Sequence, residues 1–250
     1  MEALKRAIPT RLRRWLSRKR FEFGRNMLWA DRLTDFSSLR RTTPYRPNFG
    51  WNRGQCIDRY YIDKFFSAHT ADIHGRALEI GDAEYTRKFG ANHVTQIDVI
   101  DLDPNNTRAT IHDDLCSAAS IADNTYDCIL CPQTLLVIYD FHAAIRTMHR
   151  ILKPGGVLLA TTPGIAQICP QPMIGGAGHD YWRFTDLSAQ AVFGTVFGES
   201  NVQVQTFGNV LTAVALLHGL VSQEFTPAEL DHHDPDYQVT IAIRAQKVMP

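Results

Sequence analysis

The 250-residue sequence predicts an α/β domain on a mainly parallel sheet, and three observations carry that prediction. Val157, Leu158, Leu159, Ala160 and Thr161 form a short apolar run between turn residues, the pattern of a strand covered on both faces. Just before it, Lys153, Pro154, Gly155 and Gly156 read as the stop of a helix. Proline cannot continue a helix, and glycine accepts the positive φ of a C-cap. From Gly75 onward, strand and helix patterns alternate, as in parallel strands joined by helical crossovers.

The elements follow in order. Residues 1–43 are a basic N-terminal extension, helical in pieces, and residues 44–250 are the domain. Residues 43–54 hold Pro44, Pro47, Gly50 and Gly54 and read as an ordered loop. A helix over residues 57–68, rich in Tyr60, Tyr61, Phe65 and Phe66, should pack beneath the sheet. Strands are expected at 77–80, within 94–102, at 109–112, at 126–131 and at 157–161. Two more, at 202–207 and 238–243, flank a helix over 210–220.

Composition sets bounds on function. No apolar run is long enough to span a membrane, and the basic start is unlike a signal peptide. Five cysteines, an odd number, fit free thiols in a reducing, cytoplasmic setting. Cys128 and Cys131 form a CxxC, but three apart on a strand they face opposite ways, so they read as core residues rather than zinc ligands. No metal site is expected. The zero net charge hides an asymmetry: residues 1–54 carry 14 Lys or Arg against 4 acids, and the remainder 12 against 22. The basic arm suits an acidic surface, with its own acidic domain ahead of a membrane or nucleic acid because it lacks a strong apolar face.

Several motifs occur together: residues 54–62 (Gly54 to Ile62), Leu78 to Asp82, Asp114-Leu115, Gln133 to Leu135, Leu152 to Gly156 and Asp180 to Thr185. This combination resembles the class I S-adenosylmethionine-dependent methyltransferase domains found with, or fused to, bacterial glycosyltransferases of polysaccharide and glycoside biosynthesis. The resemblance covers roughly residues 45–248 and leaves the basic arm outside. It implies a Rossmann-like seven-stranded sheet with helices on both faces and an antiparallel last strand. It also implies S-adenosylmethionine as cofactor, a sugar, glycan or glycosylated small molecule as oxygen acceptor, and a glycosyltransferase partner.

In such a sheet the ligand lies beyond the carboxyl ends of the strands, where strand order reverses. The first strand leads into Glu79, Ile80, Gly81 and Asp82, where a standard methyltransferase loop has several glycines and this chain keeps Gly81 alone. Gly81, with Glu79 and Asp82 beside it, is expected at the methionine end of the cofactor. Asp98, Asp101 and Asp103 are candidates for the ribose hydroxyls, and the sequence does not choose among them. Asp113 and Asp114 close the third strand, where one side chain accepts from the adenine amino group or the pair N-caps a helix that follows. Gln133, ahead of Thr134, should line the pocket beneath the transferring methyl group.

Chemistry is expected over residues 175–185. His179 or Asp180 is the candidate base, Tyr181 and Trp182 offer flat faces to an acceptor, and Arg183 suits a phosphate or carboxylate. The plainer alternative is an ordered loop in which Arg183 pairs with Asp180. His142 is the second candidate base. His232 and His233 sit in a solvated acidic turn, and His112, His149 and His218 read as structural. A non-catalytic module docking a glycosyltransferase is the alternative function. A nucleic-acid methyltransferase ranks below it, because the domain is acidic and lacks the Asn- or Asp-Pro-Pro-aromatic motif of a flipped-base site.

Overall fold

The computed structural model describes residues 41–169 and 179–249, and the unit described below lies within 44–250. The expectations for the basic extension fall almost wholly outside the described residues. The elements are α1 (Ile57–Ala68), β1 (Gly75–Ile80), α2 (Glu84–Phe89), β2 (Val94–Asp101), β3 (Ile111–His112), β4 (Tyr126–Pro132) and α3 (Phe141–Ile151). They continue with β5 (Leu152–Pro163), α4 (Asp186–Phe197), β6 (Val202–Phe207), α5 (Val210–Leu217), α6 (Pro227–Asp231) and β7 (Thr240–Gln246).

One seven-stranded sheet has the order β3-β2-β1-β4-β5-β7-β6. The first five strands pair in parallel, and β7 inserts antiparallel between β5 and β6. This is the class I methyltransferase sheet that the sequence predicts. Strand alternation splits the core into two layers. On one face Phe141, Ile145 and Met148 of α3 and Phe193 of α4 pack against Ile129, Cys131 and Leu158. On the other, Ile57, Tyr61 and Phe65 of α1 and Leu216 of α5 pack against Cys128, Leu130 and Leu159. Cys128 and Cys131 therefore do face opposite ways, and burial pushes the Cys131 thiol up to about 12.

Several boundaries differ from the sequence reading; β3, expected over 109–112, is only Ile111–His112. Helix α3 stops at Ile151, with Leu152 already extended as its C-cap. Lys153 to Gly156 then form an irregular start to β5, where pairing with β4 shifts register between Tyr126 and Cys128. The positive φ expected at a helix cap is taken by Gly155, at 81°, inside that bulge, where its N–H donates to the Lys247 carbonyl at 2.8 Å. Strand β7 runs past Ile243 to Gln246, because the charge of Arg244 is met by Asp72 through two 2.8 Å hydrogen bonds. Helix α5 ends at Leu217, short of residue 220.

The segment ahead of α1 is tied to the chain after α5 by the Cys56–Val221 bridge and by the Ser222 N–H donating to the Gln55 carbonyl at 2.8 Å. Tyr61, buried in α1, donates to the Leu230 carbonyl at 2.8 Å and stacks on Phe207. These contacts fix where helix α1 begins, which matters for the site. No helix among the described residues is long and apolar enough to cross a membrane.

Candidate functional site

Strand order reverses between β1 and β4, and the chain leaves both strands at the same end of the sheet. A crevice of about 290 Å³ opens there. Its lining includes Gly81 after β1, Gln133 and Thr134 after β4, Asp58 and Arg59 at the start of α1, and Asp180 and Arg183. Phe49, Leu136, Val137, Leu216 and Val239 supply apolar wall.

Gly81 has φ 85°, donates its N–H to the Ile100 carbonyl at 3.0 Å and accepts from Asn106 Nδ2 at 2.7 Å. A Cβ built on it meets no atom of the described residues beyond its chain neighbours within 4 Å. The backbone is thus bared to open space where a ligand can lie against it. Glu79, fully buried, does not reach that space. Its two oxygens accept from the backbone N–H groups of Tyr85 at 3.1 Å and Thr86 at 2.7 Å, holding the start of α2. Burial outweighs those bonds and pushes its carboxyl up to about 7. Asp82 faces a neighbouring surface depression with Arg87, Lys88 and Arg108, and accepts from the Glu84 N–H at 3.0 Å.

The three ribose candidates separate cleanly. Asp98 lies inside β2, buried, and its Oδ2 takes Arg76 Nε at 2.8 Å, with Arg76 Nη2 at 2.7 Å. It is half of an internal ion pair, which corrects the expectation that it holds the ribose. Asp103 accepts from Asn105 N–H and Nδ2 in an exposed turn, which corrects its role likewise. Asp101 ends β2 half-buried, and Asn106 Nδ2 bridges its Oδ2 (2.6 Å) to the Gly81 carbonyl. Of the three, this acid alone is joined to the Gly81 loop. Beyond β3, Asp113 binds Ser120 N–H and Oγ at 2.9 and 2.6 Å, and these bonds hold its carboxyl below the usual range. Asp114 accepts from the Cys116 N–H at 2.8 Å, so both acids hold turns, and among the described residues no helix follows before β4 for them to N-cap.

Gln133 takes φ 46°, sparsely populated for a non-glycine residue, and its N–H donates to the Thr161 carbonyl at 2.9 Å. Its side-chain Nε2 is buried with no hydrogen-bond partner among the described residues. Strained backbone and an orphan donor in one crevice residue point to a ligand group there.

The region after β5 brings three corrections, at Asp180, Arg183 and Trp182. Asp180 is not placed to act as a base: its carboxylate is clasped by Arg183 Nη1 and Nη2 and also accepts from the Cys169 N–H at 2.8 Å. The Arg183 Nη groups also donate to the carbonyls of Trp182 and Gln167, at 2.8 and 2.7 Å, which ties the side chain to the crevice wall, while its Nε is buried without a hydrogen-bond partner among the described residues. Trp182 is turned into the α3 side, its Nε1 donating to the Ile138 carbonyl at 3.0 Å and its ring edge-on to Phe141. Tyr181 is exposed and edge-on to Tyr139, and exposed His179 lies against Tyr181. Neither lines the crevice. His142 is exposed and stacked on Phe141. His233 hydrogen-bonds Thr206 at 2.8 Å, and among the described residues no group of three His, Cys, Asp or Glu is arranged to hold a metal. His112, read as structural, is exposed at the end of β3.

Sequence reasoning passed over Asp58 and Arg59 as site residues. Their signal was present, since both lie in the Gly54 to Ile62 motif, but nothing local showed that α1 begins over the crevice.

The bared Gly81 backbone, the Asp101–Asn106 bridge and the orphan Gln133 amide fit a nucleoside with an amino-acid end lying across the switch point. Comparison with known proteins bears on the domain and its fold. Residues 78–160 match the methyltransferase domain family. The ubiquinone/menaquinone biosynthesis C-methyltransferase UbiE of Klebsiella pneumoniae is 29% identical over 139 residues, covering 55% of this chain and 49% of the relative. The chain thus spans about half the length of the curated relatives it matches. The crystal structure of the [4+2]-cyclase SpnF superposes with TM-score 0.51 at 16% identity, over 83% of this chain and 87% of that one. A SAM-dependent methyltransferase from Archaeoglobus fulgidus gives TM-score 0.49 at 12% identity, over 76% and 90%. The domain match on this fold supports a class I methyltransferase with S-adenosylmethionine as cofactor.

Proposed function

We propose that the chain is an S-adenosylmethionine-dependent methyltransferase acting on a small-molecule acceptor. The observation that carries this reading is the open space over Gly81, facing Gln133 across the switch point between β1 and β4. Gly81 would lie against the methionine end, Asp101 would accept from the ribose hydroxyls, and Gln133 would donate its unpartnered amide. Asp114, exposed beyond β3, is the proposed partner of the adenine amino group. When bound, the cofactor supplies a methyl group on a sulfonium, so the protein's share is alignment and, for an oxygen acceptor, removal of a proton.

The acceptor we propose is an oxygen of a sugar, glycan or glycosylated small molecule, on the strength of the motif resemblance. A glycosyltransferase partner rests on the same resemblance. A second reading, methyl transfer to carbon, is favoured by the C-methyltransferase relatives and the apolar wall of Phe49, Leu136, Val137, Leu216 and Val239. Incubation with methyl-labelled S-adenosylmethionine and panels of glycosides and of apolar aromatic compounds, read by mass spectrometry, separates them. Labelled methyl ethers of glycosides are expected. A carbon-methylated aromatic product would overturn the oxygen assignment. Tight cofactor binding without transfer to either panel would favour the docking module.

A further inference from the structure

We propose that Asp58 and Arg59 clamp the zwitterionic amino-acid end of S-adenosylmethionine, Arg59 taking the α-carboxylate and Asp58 the α-ammonium. This rests on the reading of the crevice as the cofactor site.

Among the described lining residues, two carboxylates and two guanidinium groups face the crevice. In one pair, Asp180 and the Arg183 Nη groups are engaged with each other and with the backbone of Cys169, Trp182 and Gln167, which leaves the buried Arg183 Nε as that pair's unpartnered donor among the described residues. The other pair keeps capacity. Among the described residues, Asp58 accepts a single hydrogen bond, from the Arg59 N–H at 2.8 Å. Arg59 gives one Nη1 bond, to the Tyr85 hydroxyl at 2.9 Å, and its guanidinium lies 5.6 Å from the Trp51 ring centroid. Tyr85 is in α2, the helix that follows the Gly81 loop, so Arg59 is steered to the end of the crevice where the methionine part would lie.

The electrostatics suit a zwitterion better than a simple anion. Burial pushes the Asp58 carboxyl up, so an arriving ammonium would restore its charge at close range. Burial also works against the Arg59 charge, but Asp58 and Tyr85 outweigh it and keep the guanidinium firmly protonated. A planar guanidinium matches a carboxylate in two parallel hydrogen bonds. The clamp accounts for the missing glycines as well. A loop with Gly81 alone offers fewer close backbone N–H groups to the amino-acid end, and two side chains on α1 replace them.

The test is calorimetric titration of the full chain with S-adenosylhomocysteine and with 5′-methylthioadenosine, which lacks the amino-acid end. For Arg59→Met and Asp58→Asn we expect at least tenfold weaker binding of S-adenosylhomocysteine and unchanged binding of methylthioadenosine, which also reports an intact fold. Arg59→Lys should fall between. On the wild type, decarboxylated S-adenosylmethionine should bind at least tenfold more weakly than S-adenosylmethionine, a result that needs no variant to fold. Equal losses for both ligands, or no loss, would overturn the clamp while leaving the cofactor reading standing. No binding of S-adenosylhomocysteine by the wild type would overturn both.

Discussion

At the scale of single residues, Glu79 shows how burial redirects an acid that sequence places at a ligand. Its strand position turns the side chain inward, where two N–H groups of α2 are the partners within reach. With its carboxyl raised from 4.5 to about 7, the folded state holds the proton better than the unfolded chain does. The stability this brings is complete below pH 4.5 and is lost as pH rises through about 7, on the order of 3 kcal/mol in all. Denaturant melts at pH 5 and pH 8 should therefore show a larger difference for the wild type than for Glu79→Gln. Equal differences would show that Glu79 titrates normally. Asp98 makes the same point: its counterion Arg76 lies on the neighbouring strand, a partner no local pattern reveals.

At the scale of elements, the wall after β5 is held by a buried ion pair. The Asp180 side chain is 1% exposed, so removing Arg183 strands a charge. Arg183→Met should cost about 3–5 kcal/mol, and pairing it with Asp180→Asn should recover a good part. Thermal melts of the single and double variants check this, and a double variant no more stable than the single would contradict it. The strands themselves were legible because buried parallel strands are written as apolar runs, and α1 matched its aromatic pattern from end to end. Lys153 to Gly156 was misjudged because proline and glycine mark a chain irregularity without saying whether a helix or a strand contains it. Strand β7 was cut short at Arg244 because its counterion Asp72 is 172 residues away in sequence.

For the molecule as a whole, the crevice is where four distant stretches meet: the start of α1, the end of β1, the end of β4, and the chain around Asp180 and Arg183. Gly81 and Gln133 were legible because strand ends can be read from apolar runs, and the topology then puts them together. Asp58 and Arg59 were not, because their place depends on Tyr61 docking on Leu230 and on the Cys56–Val221 bridge. The measurement that most directly tests the central claim is calorimetric titration of the wild type and Gly81→Ala with S-adenosylhomocysteine. A Cβ at φ 85° meets no atom of the described residues beyond its chain neighbours but would intrude on the ligand space, at about 1 kcal/mol of backbone strain. We predict saturable micromolar binding by the wild type and at least tenfold weaker binding by a variant that still unfolds cooperatively. A folded wild type that binds no S-adenosylhomocysteine would contradict the account.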